Sequence, residues 1–153
     1  MNCQFLQTVY CLLVLTDSNL MVHGGPTEND DLNSQMLQLH NQARQQALLC
    51  QITGQPPAKL MANLVFNQGL ADKAQTWANS CTVGHDTNAD RKTTEFEYVG
   101  QNFAGAGEFA TAFEMWFGEN SDYTFSNNTC ASGKSCGHYT QVICNLSLVF
   151  LIR

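Results

Sequence analysis

The heptapeptide Gly137-His138-Tyr139-Thr140-Gln141-Val142-Ile143 sets an imidazole among aromatic, polar and β-branched neighbours. Imidazole binds a proton near neutral pH and ligates metals. Alternation along the run predicts a strand with Tyr139, Gln141 and Ile143 on one side and His138, Thr140 and Val142 on the other. A histidine in such a strand is most often a hydrogen-bonded core residue. A carboxylate stands out as well. Glu119 follows Trp116 by three residues and precedes Tyr123 by four, spacings that share a helix face. It therefore projects from an apolar stripe, where a carboxylate must find a partner or take up a proton. Capping a loop or pairing with Arg44 would meet that need.

Other chemistries find less support. A hydrolase needs a nucleophile, a base within reach and an oxyanion hole. No Gly-x-Ser-x-Gly elbow occurs, and no thiol has a context that marks it as nucleophilic. The spacing Cys130-x5-Cys136-x7-Cys144 lacks the C-x2-C knuckle of a structural zinc site. The reading is of a protein that is not an enzyme.

The elements that must carry these residues read as helices and loops. Leu32, Met36, Leu39, Ala43 and Ala47 recur at helical spacing between about Asp31 and Cys50, and Gly54-Gln55-Pro56-Pro57 ends that helix. Leu70, Ala74, Trp77, Ala78 and Cys81 form a second stripe. Residues 84–94 are polar and loop-like, and Phe96-Glu97-Tyr98-Val99 is a short strand candidate. Gly105-Ala106-Gly107 breaks the chain before a third helix with Phe109, Ala112, Phe113 and Trp116 on its stripe.

Length and composition bound the context. With 153 residues, 44% of them hydrophobic, the chain holds one domain with a real core. Residues 5–15 are apolar but too short to cross a bilayer, and they read as the core of a signal peptide spanning 1–24. Those 24 residues hold one acid, Asp17, and no base. The remainder has 12 acids against 7 bases, a net charge of −5. Without a basic stripe, nucleic acid is a poor partner. No segment is long enough for an integral membrane protein. Cys50, Cys81, Cys130, Cys136 and Cys144 follow the leader. In a secretory context they imply disulfides, with at least one thiol free or paired to another chain. Asn127-Asn128-Thr129 and Asn145-Leu146-Ser147 are glycosylation sequons.

Five segments together resemble the CAP superfamily of cysteine-rich secretory proteins, antigen five and pathogenesis-related one proteins, above all its helminth venom allergen-like members. They are His40-Asn41-Gln42-Ala43-Arg44, Trp77 to Asp86, Val99-Gly100-Gln101-Asn102-Phe103, Trp116-x-x-Glu119-x-x-x-Tyr123, and the heptapeptide at 137–143. The resemblance covers residues 31 to 143. It implies an α+β fold, a three-layer α-β-α sandwich lacking its last strands, with residues 25–143 as an incomplete CAP domain and 144–153 as a divergent tail. It gives His40, Asn41 and Arg44 a structural role.

The resemblance also implies a cavity lined by His85, Glu119 and His138, with Gln101 where many members carry Glu. Two imidazoles and one carboxylate could hold Zn²⁺ or another divalent cation weakly, Gln101 being a poor ligand; no cofactor is required. Phe96-x-Tyr98-x4-Phe103 fits the spacing of the family's sterol-binding loop, where flat rings offer apolar area to a rigid ligand. The expected protein is thus secreted and extracellular. It binds a sterol, a fatty acid or a host or partner protein. A weak metal-dependent hydrolase and a non-functional truncated product are the alternatives.

Overall fold

The structure, a computed structural model, describes residues 28–144. The predicted leader, the Asn145 sequon and the apolar 146–152 run lie outside them. Five α-helices and one short ribbon follow in order: α1 (Glu28–Leu48), α2 (Gln68–Asn79), α3 (Asn88–Arg91), α4 (Phe109–Gly118), β1 (Tyr123–Thr124), β2 (Thr129–Cys130) and α5 (Gly137–Ile143), with 3-10 turns at Glu119–Asp122 and Phe125–Asn127. The sheet among the described residues is the antiparallel pair β1–β2, in the register Tyr123 to Cys130 and Thr124 to Thr129. Helices α1, α4 and α5 pack on one another. Between them lie Met36 and Ala43 of α1, Ala112 and Trp116 of α4, and Tyr139 and Val142 of α5, each at most 2% exposed. Burial of each large apolar side chain contributes about 1.5–3 kcal/mol.

Local chemistry sets the helix ends. Helix α1 stops where Cys50 turns left-handed (φ 58°) and the Gln51 N–H reaches back to the Gln46 carbonyl at 2.9 Å. That is the six-to-one closure of a Schellman motif. Asn67 caps α2, its Oδ1 accepting from the Leu70 N–H at 3.0 Å. Cys81, placed by its spacing on the α2 stripe, lies past the helix end at φ 53°. The supposed loop 84–94 contains α3, started by a reciprocal capping box between Thr87 and Asp90.

Two predicted strands are not strands. The heptapeptide is helix α5, and its buried residues Tyr139, Val142 and Ile143 follow the i, i+3, i+4 rule. Residues 96–99 are irregular: Phe96 closes a turn with Thr93, by bonds of 2.9 Å between the two residues, and sinks into the core at 1% exposure.

What holds a seven-residue helix is at its ends. Cys136, the residue before it, offers no side-chain cap. Glu119 substitutes, its Oε2 accepting from the His138 N–H at 2.9 Å and the Tyr139 N–H at 3.1 Å. At the other end, buried Arg44 donates to the carbonyls of Val142 and Cys144, while its Nε and Nη2 grip the Ala62 carbonyl at 2.8 and 2.7 Å. An anion at the N-terminus and a cation at the C-terminus both oppose the helix dipole. Glu119 and Arg44 thus hold opposite ends of one helix instead of pairing. Burial pulls the Arg44 pKa down to about 10, so it stays charged at neutral pH.

Candidate functional site

Helix α5 and the loop before α4 bring the sequence-predicted residues together in two pairs. In the first, Glu119 Oε1 lies 2.7 Å from His138 Nδ1, and the imidazole stacks on Trp116 with centroids 6.1 Å apart. A carboxylate only accepts, so His138 Nδ1 carries a proton and a neutral ring leaves Nε2 bare. With its two oxygens taken by three donors, Glu119 builds the site as much as it lines it.

In the second pair, His85 Nδ1 sits 2.6 Å from Gln101 Oε1. The placement of His85 begins on α2, where the Trp77 indole donates to the Gly84 carbonyl at 2.9 Å. Gly84, at φ +117°, then turns the chain in a way side chains disfavour. Arg91 Nη1 also donates to Gln101 Oε1, at 3.3 Å, and to Asp86 Oδ1, at 2.6 Å. Arginine has no acceptor, so it fixes which end of the Gln101 amide is oxygen. His85 must then donate from Nδ1, again leaving Nε2 bare. The Arg91 Nε bond to the Val99 carbonyl, 2.9 Å, ties the loop to the segment that carries Gln101. Arg91 was not legible as a site residue. The Thr87-x-x-Asp90 capping pattern that ends one residue before it was the available signal.

The two pairs are joined through side chains. Phe103 meets His85 edge-on, centroids 6.3 Å apart, and its carbonyl accepts from Trp116 Nε1 at 3.2 Å. Asn102, 1% exposed, donates to the His138 carbonyl at 3.2 Å. Gly100 allows close approach: a Cβ there would meet the Gln141 carboxamide at 2.5–2.6 Å.

Among the described residues, no group of three or more His, Cys, Asp or Glu side chains is arranged to hold a metal ion. The donors fit the pattern in which an oxygen orients each imidazole from behind and the far nitrogen is free. Glu119 and Gln101 occupy the orienting position.

The aromatic trio is split. Phe96 is core, Phe103 is half-buried beside His85, and Tyr98 is 57% exposed. The first-helix motif does packing work. His40 donates from Nδ1 to the Met36 carbonyl at 2.8 Å and meets Phe113 edge-on at 5.0 Å. Burial lowers its pKa to about 4, partly countered by the Met36 carbonyl. Asn41 brackets Leu64, donating to its carbonyl at 3.1 Å and accepting from its N–H at 2.7 Å. Cys130 and Cys136 form a disulfide, while Cys50 and Cys81 are free and exposed. A separate groove of about 650 Å³ follows the outer face of α1, lined by carboxamides including Gln38, Gln42, Gln45 and Asn63; it contains none of the four pair residues.

The sequence model of the cysteine-rich secretory protein family, CAP, matches residues 37–146. The chain belongs to the CAP family. It is similar to venom allergen 5.02 of Dolichovespula maculata, 39% identical over 136 residues, covering 80% of this chain and 60% of the wasp protein. It is 31% identical to human GLIPR1-like protein 1 over 140 residues, 87% of this chain and 52% of that one. The chain therefore spans about half to three-fifths of the length of these two relatives. Among solved structures, venom allergen-like protein 4 of Schistosoma mansoni superposes with a TM-score of 0.68 at 32% identity, covering 73% of this chain and 71% of the other. The fold is thus the α+β CAP fold, its helices accompanied here by a small sheet.

Proposed function

We propose that this CAP protein acts outside the cell, without catalysing a reaction, by binding a small hydrophobic ligand of the sterol or fatty-acid class at the rim of the His85–Gln101 pair. The observation that carries this reading is the exposure of Tyr98. A tyrosine ring more than half exposed is held by a segment that Arg91 anchors at Val99, three residues before the buried Asn102. Beyond it, Phe103 meets the exposed His85 edge-on. An exposed aromatic face on the segment that also carries half-buried Phe103 offers apolar area to a flat ligand, with the polar His85–Gln101 pair to orient it. Phe96 is not part of that area. Secretion is supported by the kinship with venom allergens and cysteine-rich secretory proteins. No helix among the described residues is long and apolar enough to cross a membrane. The full chain, purified, should retain labelled cholesterol in solution. Tyr98→Ala should lower retention and leave thermal unfolding unchanged, whereas Phe96→Ala should unfold the domain. Undiminished retention by a folded Tyr98→Ala protein would defeat the proposal.

A divalent cation would find at most the imidazole Nε2 atoms as ligands, since no group of three donors forms among the described residues. His85 and His138 would hold it, and Glu119 and Gln101 would orient them. It would supply Lewis-acid character and is not needed for the proposed binding.

A further inference from the structure

The tip of the β1–β2 ribbon carries Asn127-Asn128-Thr129, which ligand binding does not use. We propose that Asn127 bears an N-linked oligosaccharide, added as the chain enters the secretory pathway; the proposal rests on the extracellular reading above. The Asn-x-Thr pattern places the acceptor at Asn127, since Asn128-Thr129-Cys130 has no hydroxyl at its third position, and the fold leaves room for a sugar there. Asn128 builds the turn. It sits in the left-handed region (φ 54°, ψ 47°), its N–H bonds the Phe125 carbonyl at 3.3 Å, and its Oδ1 accepts from the Tyr123 hydroxyl at 2.8 Å. Asn127 is exposed, and its Oδ1 accepts from the Thr129 hydroxyl at 2.8 Å. Its Nδ2 donates to nothing among the described residues. Replacing one Nδ2 hydrogen by a sugar therefore breaks no bond of the fold, whereas a sugar on Asn128 would crowd the amide that Tyr123 engages. The Cys130–Cys136 disulfide ties the base of the ribbon to the residue that precedes α5, so the sugar would stand on an anchored loop.

The donor is a polyprenyl-diphosphate-linked oligosaccharide. Asn127 Nδ2 attacks its anomeric carbon, the C–O bond to diphosphate breaks, and the lipid diphosphate leaves with the electron pair. The nitrogen loses one proton to a base of the transferase. Transfer acts on the unfolded segment, so the role of the fold is to leave room afterwards.

The test is translation of the full chain with endoplasmic-reticulum microsomes, followed by protease protection, peptide N-glycosidase digestion and mass mapping. The readout precedes folding, so a variant that folds poorly still reports. Expected is a protected chain carrying a glycosidase-sensitive sugar on the peptide with Asn127. That sugar should be lost in Asn127→Gln and Thr129→Ala and retained in Asn128→Gln and Asn145→Gln. A protected chain without sugar at Asn127, or one whose sugar survives Asn127→Gln on that same peptide, overturns the glycan assignment alone. A chain left open to protease overturns the extracellular reading and this proposal with it.

Discussion

Two imidazoles in this molecule reach the same state by different routes. His138 is held by a carboxylate that also caps a helix, so its orientation is rooted in backbone groups and in the packing of α1, α4 and α5. His85 is held by a neutral carboxamide in a loop, and that carboxamide is steered by a single guanidinium. In both, Nδ1 is engaged and Nε2 is free. The first half of the site cannot be disturbed without disturbing the fold; the second can. Sequence change that leaves the fold intact should therefore concentrate around residues 84–101.

Removing the Glu119 carboxylate is the largest blow to this contrast. Glu119→Ala deletes three hydrogen bonds, two of them to helix N–H groups, from a side chain only 16% exposed. The expected loss is about 3–4 kcal/mol, read as a lower urea midpoint. A loss below about 1 kcal/mol would mean that α5 is held by packing alone.

Acid should strike the helical half next. His40 has a folded pKa of about 4 against an ordinary 6.5. The unfolded chain thus binds the extra proton between these values. Its contribution is intact above about pH 6.5, is lost as pH falls toward 4, and declines no further below that. The shift corresponds to about 3 kcal/mol. Urea titrations against pH should show this slope in the native chain and a flatter one in His40→Phe.

In the loop, Arg91→Ala should act locally. Amide exchange of residues 86–101 should quicken about tenfold, about 1.4 kcal/mol, with the global midpoint nearly unmoved. Equal acceleration in α5 would show that the two halves form one cooperative unit.

The smallest change expected is from Gln101→Glu. Simple ligand counting makes this substitution strengthen Zn²⁺ binding. The loop geometry says that the new carboxylate is claimed by Arg91 and His85 Nδ1, adding under about 1 kcal/mol of stability. Zn²⁺ titration should show at most a modest gain, since a carboxylate behind Nδ1 only raises the basicity of His85; a gain beyond about a hundredfold would place the residue 101 oxygen in the metal shell.

Much of this was legible before any coordinates. The stripes of α1, α2 and α4 follow period 3.6, and Glu119 did find a partner, although α4 ends at Gly118 and Tyr123 opens β1, so the helix face expected to carry Glu119 and Tyr123 does not form. The partner was not readable, because Glu119 meets the backbone 19 and 20 residues on, and Arg44 meets Val142 across 98. Those distant bonds also explain the failed strand. Tyr139, Thr140, Val142 and Ile143 favour strand locally, and over seven residues alternation and helical spacing are hard to tell apart. Tertiary capping overrode propensity. Phe96 and Tyr98 alternate as strand residues would, with one buried and one exposed, but no neighbouring strand meets them among the described residues.

The clamp on α5 has a kinetic side. A helix of seven residues does not persist by itself in water. The residue before α5 gives it no side-chain cap, and its clamps sit on α1 and just beyond α4. The heptapeptide must therefore set after α1 and α4 have met. Bonds made that late are absent from the folding barrier. Weakening Glu119 should hasten unfolding and leave the folding rate almost untouched, so the lifetime of the assembled His138 half is governed by this one carboxylate.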